Sequence, residues 1–239
     1  MIVSVHLADV GLRSAPAVLR RRPKPGEVPG LRYAITATTA PLGPRLLPTP
    51  SPGRVALVAA WDDDAALDGF LSGDPLAGRL SGGWMARLEP LNVYGAWAGL
   101  DGLPERELQI GVDEPVAVLT LGKPRLTRLR PFLRASANAE REAVSDPGML
   151  ASIGLARPPA MVATFSLWRN VEAMREYARG RRDGAHPAAT AINRGNPFHH
   201  ESAFIRFRPY AWQGRWDGAD PLAEAGQVTA TAGAGGNGG

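Results

Sequence analysis

Two stretches of this sequence, RVALVAAWDDDAALDGFL (54–71) and PAMVATFSLWRNVEAMREYA (159–178), repeat one another, and that repeat constrains the fold more than any other feature. Aligning Trp61 with Trp168 also pairs Ala66 with Ala173, Leu67 with Met174 and Phe70 with Tyr177 at a constant offset. Each copy opens with a short β-branched or aromatic apolar run, the mark of a strand. Apolar residues then recur at i, i+3 and i+4, the mark of a helix. Asp62 to Asp64 and Asn170 stand where acceptors are needed to cap the first turn of each helix.

The repeat extends beyond this unit. WMARLEPLNVYGAW and FIRFRPYAWQGRW pair Arg87 with Arg206, Pro90 with Pro209 and Trp97 with Trp216. Upstream lie matching strands, IVSVHLA and VAVLTLG, each followed by a Pro- and Arg-containing helical stretch and a further strand, around Arg32 to Thr39 and Met149 to Leu155. Each half therefore reads β-α-β-β-α-β, a ferredoxin-like unit. A four-stranded sheet with helices on one face leaves its other face apolar, and the second copy supplies the cover. The expected class is α+β: tandem ferredoxin-like repeats forming an intrachain dimeric α/β barrel. The expected division is a first half at 1–112, a second half at 113–226 and a disordered tail at 227–239, where TATAGAGGNGG offers nothing to pack.

The offset grows from 107 at the tryptophans to 119 at the arginines, so the second half carries 12 additional residues between its last helix and last strand. They fall within GRRDGAHPAATAINRGNPFHH, which contains three of the four histidines, His186, His199 and His200. Loops on rigid scaffolds are where sites are grafted. The sequence has no cysteine, which excludes disulfides, thiolate metal sites and a cysteine nucleophile. Only His, Met, Tyr and carboxylates remain as ligands.

His186 opens a short helical stretch before Pro187, and two readings stand: an iron ligand beneath a sheet-lined cavity, or a capping or surface histidine. His199 and His200 are adjacent, so on a strand they point to opposite faces. His6 lies with Ser4 on the strand face opposite Val3, Val5 and Leu7 and reads as a strand histidine satisfied by a neighbour. Glu201 is either a buried partner for a histidine or an exposed strand residue. No carboxylate pair, G-x-S-x-G elbow, phosphate loop, dinucleotide fingerprint or H-E-x-x-H motif occurs.

The net charge of +4 comes from dispersed arginines without a nucleic-acid-binding motif, so no nucleic-acid partner is expected. RLTRLRPFLR (125–134) is either a solvated helix face or a surface for peripheral membrane contact or an acidic redox protein. With no basic leader and no long apolar run, the expected location is cytoplasmic. Internal closure favours a monomer or weak dimer.

The blocks GMLASIGLARPPAMVATFSLW, NVEAMREYARG and GAHPAATAINRGNPFHHESAFIRFRP resemble the spheroidene monooxygenase family, over residues 115 to 210. Gly148, Thr164, Phe165, Ser166, Trp168, Ala173, Met174, His186, Ile192, Glu201, Phe204, Arg206, Phe207 and Pro209 carry the match, whereas Pro187 stands where relatives tend to have a basic residue. The resemblance implies a haem b monooxygenase of the dimeric α/β-barrel class that oxidises a hydrophobic, carotenoid-like small molecule with O2 and electrons from reduced ferredoxin. It implies His186 as proximal ligand of the haem iron, and a pocket drawn from His199, His200, Glu201, Phe204, Arg206 and Trp168. Two alternatives remain: a haem-dependent lyase of the aldoxime dehydratase type, and a cofactor-free barrel that binds a hydrophobic ligand.

Overall fold

A computed structural model of the chain describes residues 1–43, 49–104, 108–128, 130–134, 136–137, 144–179 and 198–223. In the first half, β1 (Ile2–Asp9), α1 (Gly11–Arg20), β2 (Leu31–Ala40) and β3 (Arg54–Trp61) are followed by α2 (Asp64–Gly73), the short α3 (Pro75–Leu80) and β4 (Trp84–Gly95). The second half contributes β5 (Val116–Pro124), a 3-10 turn at Leu126–Arg128, β6 (Met149–Arg157), β7 (Met161–Trp168), α4 (Val171–Arg179) and β8 (His199–Gln213).

All eight strands pair antiparallel in the closed order β1-β3-β2-β6-β7-β5-β8-β4. Each half is a four-stranded sheet with β1 or β5 inside, and the two sheets join at both edges. One seam is long, with β4 and β8 in register from Met85 opposite Gln213 to Gly95 opposite Ala203. The other is short, from Thr38 opposite Ala156 to Ala40 opposite Gly154. Closure leaves no edge strand to template pairing with another chain. The fold is therefore tandem ferredoxin-like halves closed into a dimeric α/β barrel within one chain.

The strand register bears out the residue pairs of the repeat. Ile2 lies opposite Trp61 as Val116 lies opposite Trp168. Ser4 lies opposite Arg87 as Val118 lies opposite Arg206. Asp63 Oδ1 accepts from the Ala66 amide at 2.9 Å, and Asn170 Oδ1 accepts from the Ala173 amide at 2.9 Å, so both helices start at the expected caps. Ahead of each unit a glycine admits that helix closely: a Cβ at Gly30 would collide with Ala66 Cβ, and one at Gly148 with Ala173 Cβ.

Alternation along β1 divides the core. Val3, Val5 and Leu7 point into the barrel, which is filled by apolar side chains from all eight strands. Ser4, His6 and Ala8 point outward beneath the helices, where Trp61, Leu67, Phe70 and Leu76 make a second core. A smaller third cluster, around Val116, Val118, Trp168 and Met174, lies under α4. Each fully buried Leu, Val or Phe in these clusters contributes roughly 1.5–3 kcal/mol.

Candidate functional site

The start of β8 gathers most of the site residues read from the sequence. His199 begins the strand with its ring edge-on to Phe132 (4.8 Å between centroids) and packed over Gly122, where a Cβ would strike the imidazole. Its Nε2 is buried and has no hydrogen-bond partner among the described residues. Burial pushes the His199 pKa down, so the ring is held neutral. The backbone carbonyl of His199 accepts from Arg125 Nε at 3.1 Å, and the Arg128 guanidinium lies 5.7 Å from the centre of the Phe198 ring. His200 is exposed on the opposite face.

Further along β8, Glu201 accepts a hydrogen bond from the Ala98 amide, and the Ser202 carbonyl accepts from the Ala96 amide at 3.1 Å. Together they stitch the turn after β4 onto β8. Phe204 and Arg206 share the outer face with Tyr94, whose ring is 6.3 Å from Phe204. Arg206, only 5% exposed, donates to Asn92 Oδ1 and to Tyr94 Oη, each at 3.3 Å. Trp168 joins this group only at its border: it is a core residue that donates to Ser166 Oγ at 2.9 Å and stacks on Tyr177. His186 lies outside the described residues.

His6 is spoken for. It is 2% exposed, edge-on to Phe70, with Nε2 3.1 Å from Ser4 Oγ, which also accepts from Trp61 Nε1 at 2.9 Å. Burial, aided by the Arg87 charge, pushes its pKa down to about 4. It is a structural neutral imidazole.

On the inner side of the same strand lies a cleft of about 400 Å3 at one mouth of the barrel, lined among others by Trp97, Leu100, Asp101, Leu103, Ala203 and Ile205. Trp97 is pinned by donating Nε1–H to Tyr33 Oη at 2.9 Å. Burial pushes the Tyr33 phenol pKa up, the indole donor partly offsets this, and nearby Glu201 adds to the rise. Tyr33 and Tyr94 were not read from the sequence as site residues, and Trp97 was read only as a repeat match. The one available signal was that match to Trp216, which gives the position of Trp97 but not its partner. What the cleft provides is a half-open slot of mixed polarity, with Asp101 on its lining and one fixed indole wall.

A closed antiparallel barrel of two ferredoxin-like halves, with a half-open cleft beside the strand that carries Glu201, Phe204 and Arg206, defines a dimeric α/β-barrel protein. No profile of a known protein family matches the chain. The chain is 31% identical over 187 residues to the spheroidene monooxygenase of Rhodobacter capsulatus, covering 73% of this chain and 75% of that protein. It is 32% identical over 199 residues to the spheroidene monooxygenase of Rubrivivax gelatinosus, covering 80% and 73%. The chain belongs to the spheroidene monooxygenase family and is an oxidoreductase. Among solved structures, a candidate monooxygenase from Fusobacterium nucleatum superposes with a TM-score of 0.41 at 9% identity, covering 90% of this chain and 94% of that one. Another from Lactobacillus acidophilus gives 0.39 at 11% identity, covering 89% and 95%. Among the described residues no helix is long and apolar enough to cross a membrane.

Proposed function

We propose that this chain is a haem-dependent monooxygenase that oxidises a hydrophobic, carotenoid-like substrate with O2 and electrons from a separate donor such as reduced ferredoxin. The alignment to two spheroidene monooxygenases across about three quarters of the chain carries this reading. The reaction balances as R–H + O2 + 2 e⁻ + 2 H⁺ giving R–OH + H2O. An unactivated hydrocarbon does not reduce dioxygen by itself, so a redox group belongs to the proposal.

The residues at the start of β8 fit a haem. The half-buried imidazole of His199, the aromatic rings of Phe132 and Phe198, and the cations Arg125 and Arg128 offer an apolar wall beside positive charge suited to carboxylates. In this reading His186 is the proximal ligand, and Glu201, Phe204 and Arg206 belong to the pocket wall. When bound, haem supplies the one-electron chemistry that dioxygen requires. The chain's own part is to seat an apolar substrate in the slot beside Trp97, to exclude water from it, and to hold the 96–98 turn through Glu201. We place the protein in the cytoplasm as a monomer, with peripheral membrane contact through the basic stretch that begins at Arg125.

The deciding measurement is an absorption spectrum of the chain produced with iron and a haem precursor. A Soret band is expected in the parent and not in His186→Ala, with substrate consumed only when O2 and a reduced donor are both present. Turnover without O2 points instead to the lyase chemistry of the aldoxime dehydratase type. A colourless protein under these conditions points to a cofactor-free binding barrel.

A further inference from the structure

Each mouth of the barrel is stopped by a loop, and the two loops are copies of one another. GAWAGLDGL (95–103) closes β4 and GRWDGADPL (214–222) follows β8, with Gly, Trp, Gly, Asp and Leu at the same five of nine positions. Trp97, Leu100 and Leu103 of the first loop, and Trp216 and Leu222 of the second, all join the apolar filling of the barrel. The two loops are not fastened alike.

The second loop ties itself down. Trp216 and Ala219 exchange backbone hydrogen bonds in both directions, at 2.9 and 3.1 Å. Asp217 pairs with Arg54, and Arg215 Nη1 donates to the Gly218 carbonyl at 2.9 Å. Asp220 Oδ1 accepts from the Leu222 and Ala223 amides at 3.2 and 3.1 Å, and its Oδ2 accepts from Trp212 Nε1 at 3.3 Å. In the first loop Ala96 stands for Arg215 and Ala98 for Asp217, so two of these ties are lost. The reciprocal pair is reduced to one bond, from the Leu100 amide to the Trp97 carbonyl at 3.0 Å. Asp101, the counterpart of Asp220, has no hydrogen-bond or ion-pair partner among the described residues. Gly102, at φ +85° with open space where a Cβ would stand, replaces Pro221, whose ring fixes φ at roughly −65°.

What holds the first loop comes from outside it. Trp97 Nε1 donates to Tyr33 Oη at 2.9 Å, the Ala98 amide to Glu201, and the Ala96 amide to the Ser202 carbonyl at 3.1 Å. Glu201 and Ser202 lie on a stretch of β8 that has no counterpart in β4, since Trp84, where β4 begins, matches Ala203. The cleft of about 400 Å3 lies between this loop and the ends of β4 and β8, so the loop stands partly clear of the strands it covers.

We infer that 96–103 is a hinged lid on the barrel, turning about Gly95 and Gly102 and latched by Glu201 and Tyr33, whereas 214–222 is a fixed plug. Opening withdraws Trp97, Leu100 and Leu103 together and bares β8 at Ala203 and Ile205, so this is the mouth through which the barrel interior is reached. A segment with few ties opens without global unfolding, and hinge residues absorb the backbone rotation. The lid rests on the two loops alone and needs neither haem nor O2.

The chain has no cysteine, so a single thiol can be placed at matching points of the two loops. In the full-length protein, Leu103→Cys and Leu222→Cys are treated separately with N-ethylmaleimide under native conditions. The thiol at 103 should react about tenfold faster or more. Adding Glu201→Ala or Tyr33→Phe should speed the reaction at 103 severalfold and leave that at 222 unchanged. Equal rates at the two positions, or acceleration of both alike as general loosening would give, overturns the inference. Should a cysteine variant fail to fold, amide hydrogen exchange of the parent carries the test. The Ala96, Ala98 and Leu100 amides should then exchange about tenfold faster or more than those of Trp216 and Ala219, each relative to its unstructured rate. Equal protection of the two loops sinks the lid.

Discussion

The two helix-bearing faces of the barrel start from equivalent strands and come to different uses. In the first half Ser4, His6 and Arg87 lie beneath α1, α2 and α3, and each is committed: Ser4 to Trp61 and His6, Arg87 to Asp64 at 2.6 Å and to Asp68. In the second half the same positions hold Val118, Thr120 and Arg206, with Thr120 exposed and Arg206 turned to Asn92 and Tyr94. The 12-residue extension belongs to this second half. A duplicated fold can let one copy hold the structure while the other departs from the pattern, and here the departures cluster where Glu201, Phe204 and Arg206 stand.

Removing the matching tryptophans tests that division most severely. Trp61 is completely buried against Phe70 (5.0 Å) and donates to Ser4, so Trp61→Ala should cost about 3–5 kcal/mol. Trp168 sits in a smaller cluster against the partly exposed Tyr177. Urea unfolding of Trp168→Ala should therefore show the lesser loss. Equal losses would mean that the second half supports the fold as much as the first.

The buried imidazole of the first half, which has only a threonine as its counterpart, makes the comparison depend on pH. His6 titrates near 4 in the folded chain against 6.5 when unfolded. The unfolded chain thus binds a proton that the native one refuses between those values, and stability falls as pH drops from 6.5 to 4. At roughly 1.4 kcal/mol per unit the loss is at most about 3.5 kcal/mol. His6→Asn, compared with the parent in urea titrations across this range, should flatten the pH dependence; an unchanged slope would show that His6 is protonated in the native state.

Much of this architecture was legible in the sequence because it is local. The strand–cap–helix unit, the pairing of Arg87 with Arg206 and the face that His6 shares with Ser4 follow from the repeat and from spacing alone. What could not be read depends on register between distant strands. Tyr33 meets Trp97 across 64 positions. The satisfaction of His6 by Ser4 follows from the strand face they share, but its sealing beneath Phe70 needs α2 in place.

The equivalent arginines should part company next. Arg87 faces two carboxylates that are themselves largely exposed, and such pairs contribute about 0–1 kcal/mol each. Arg206 is buried, and hydrogen bonds from a charged group contribute about 1.5–3 kcal/mol. Thermal and urea unfolding should find Arg206→Ala the more damaging of the two. Adding salt should narrow the difference between the parent and Arg87→Ala and leave that for Arg206→Ala nearly unchanged, because screening acts on exposed charge.

The smallest effect is the most exacting for the repeat, since it asks for equality where the others ask for difference. Asp63 and Asn170 each accept one amide hydrogen bond at 2.9 Å from the residue three positions on. Replacing either by alanine should cost about 1 kcal/mol. The aspartate adds a charge at a helix N-terminus, worth a further 0.3–1 kcal/mol or so, and that part is screened by salt. At high ionic strength the two alanine variants should therefore converge in urea midpoint. If Asn170→Ala remains much the milder there, α4 is held by the packing of its Met174 and Tyr177 on Trp168 rather than by its cap, and the correspondence of the two helices ends at geometry.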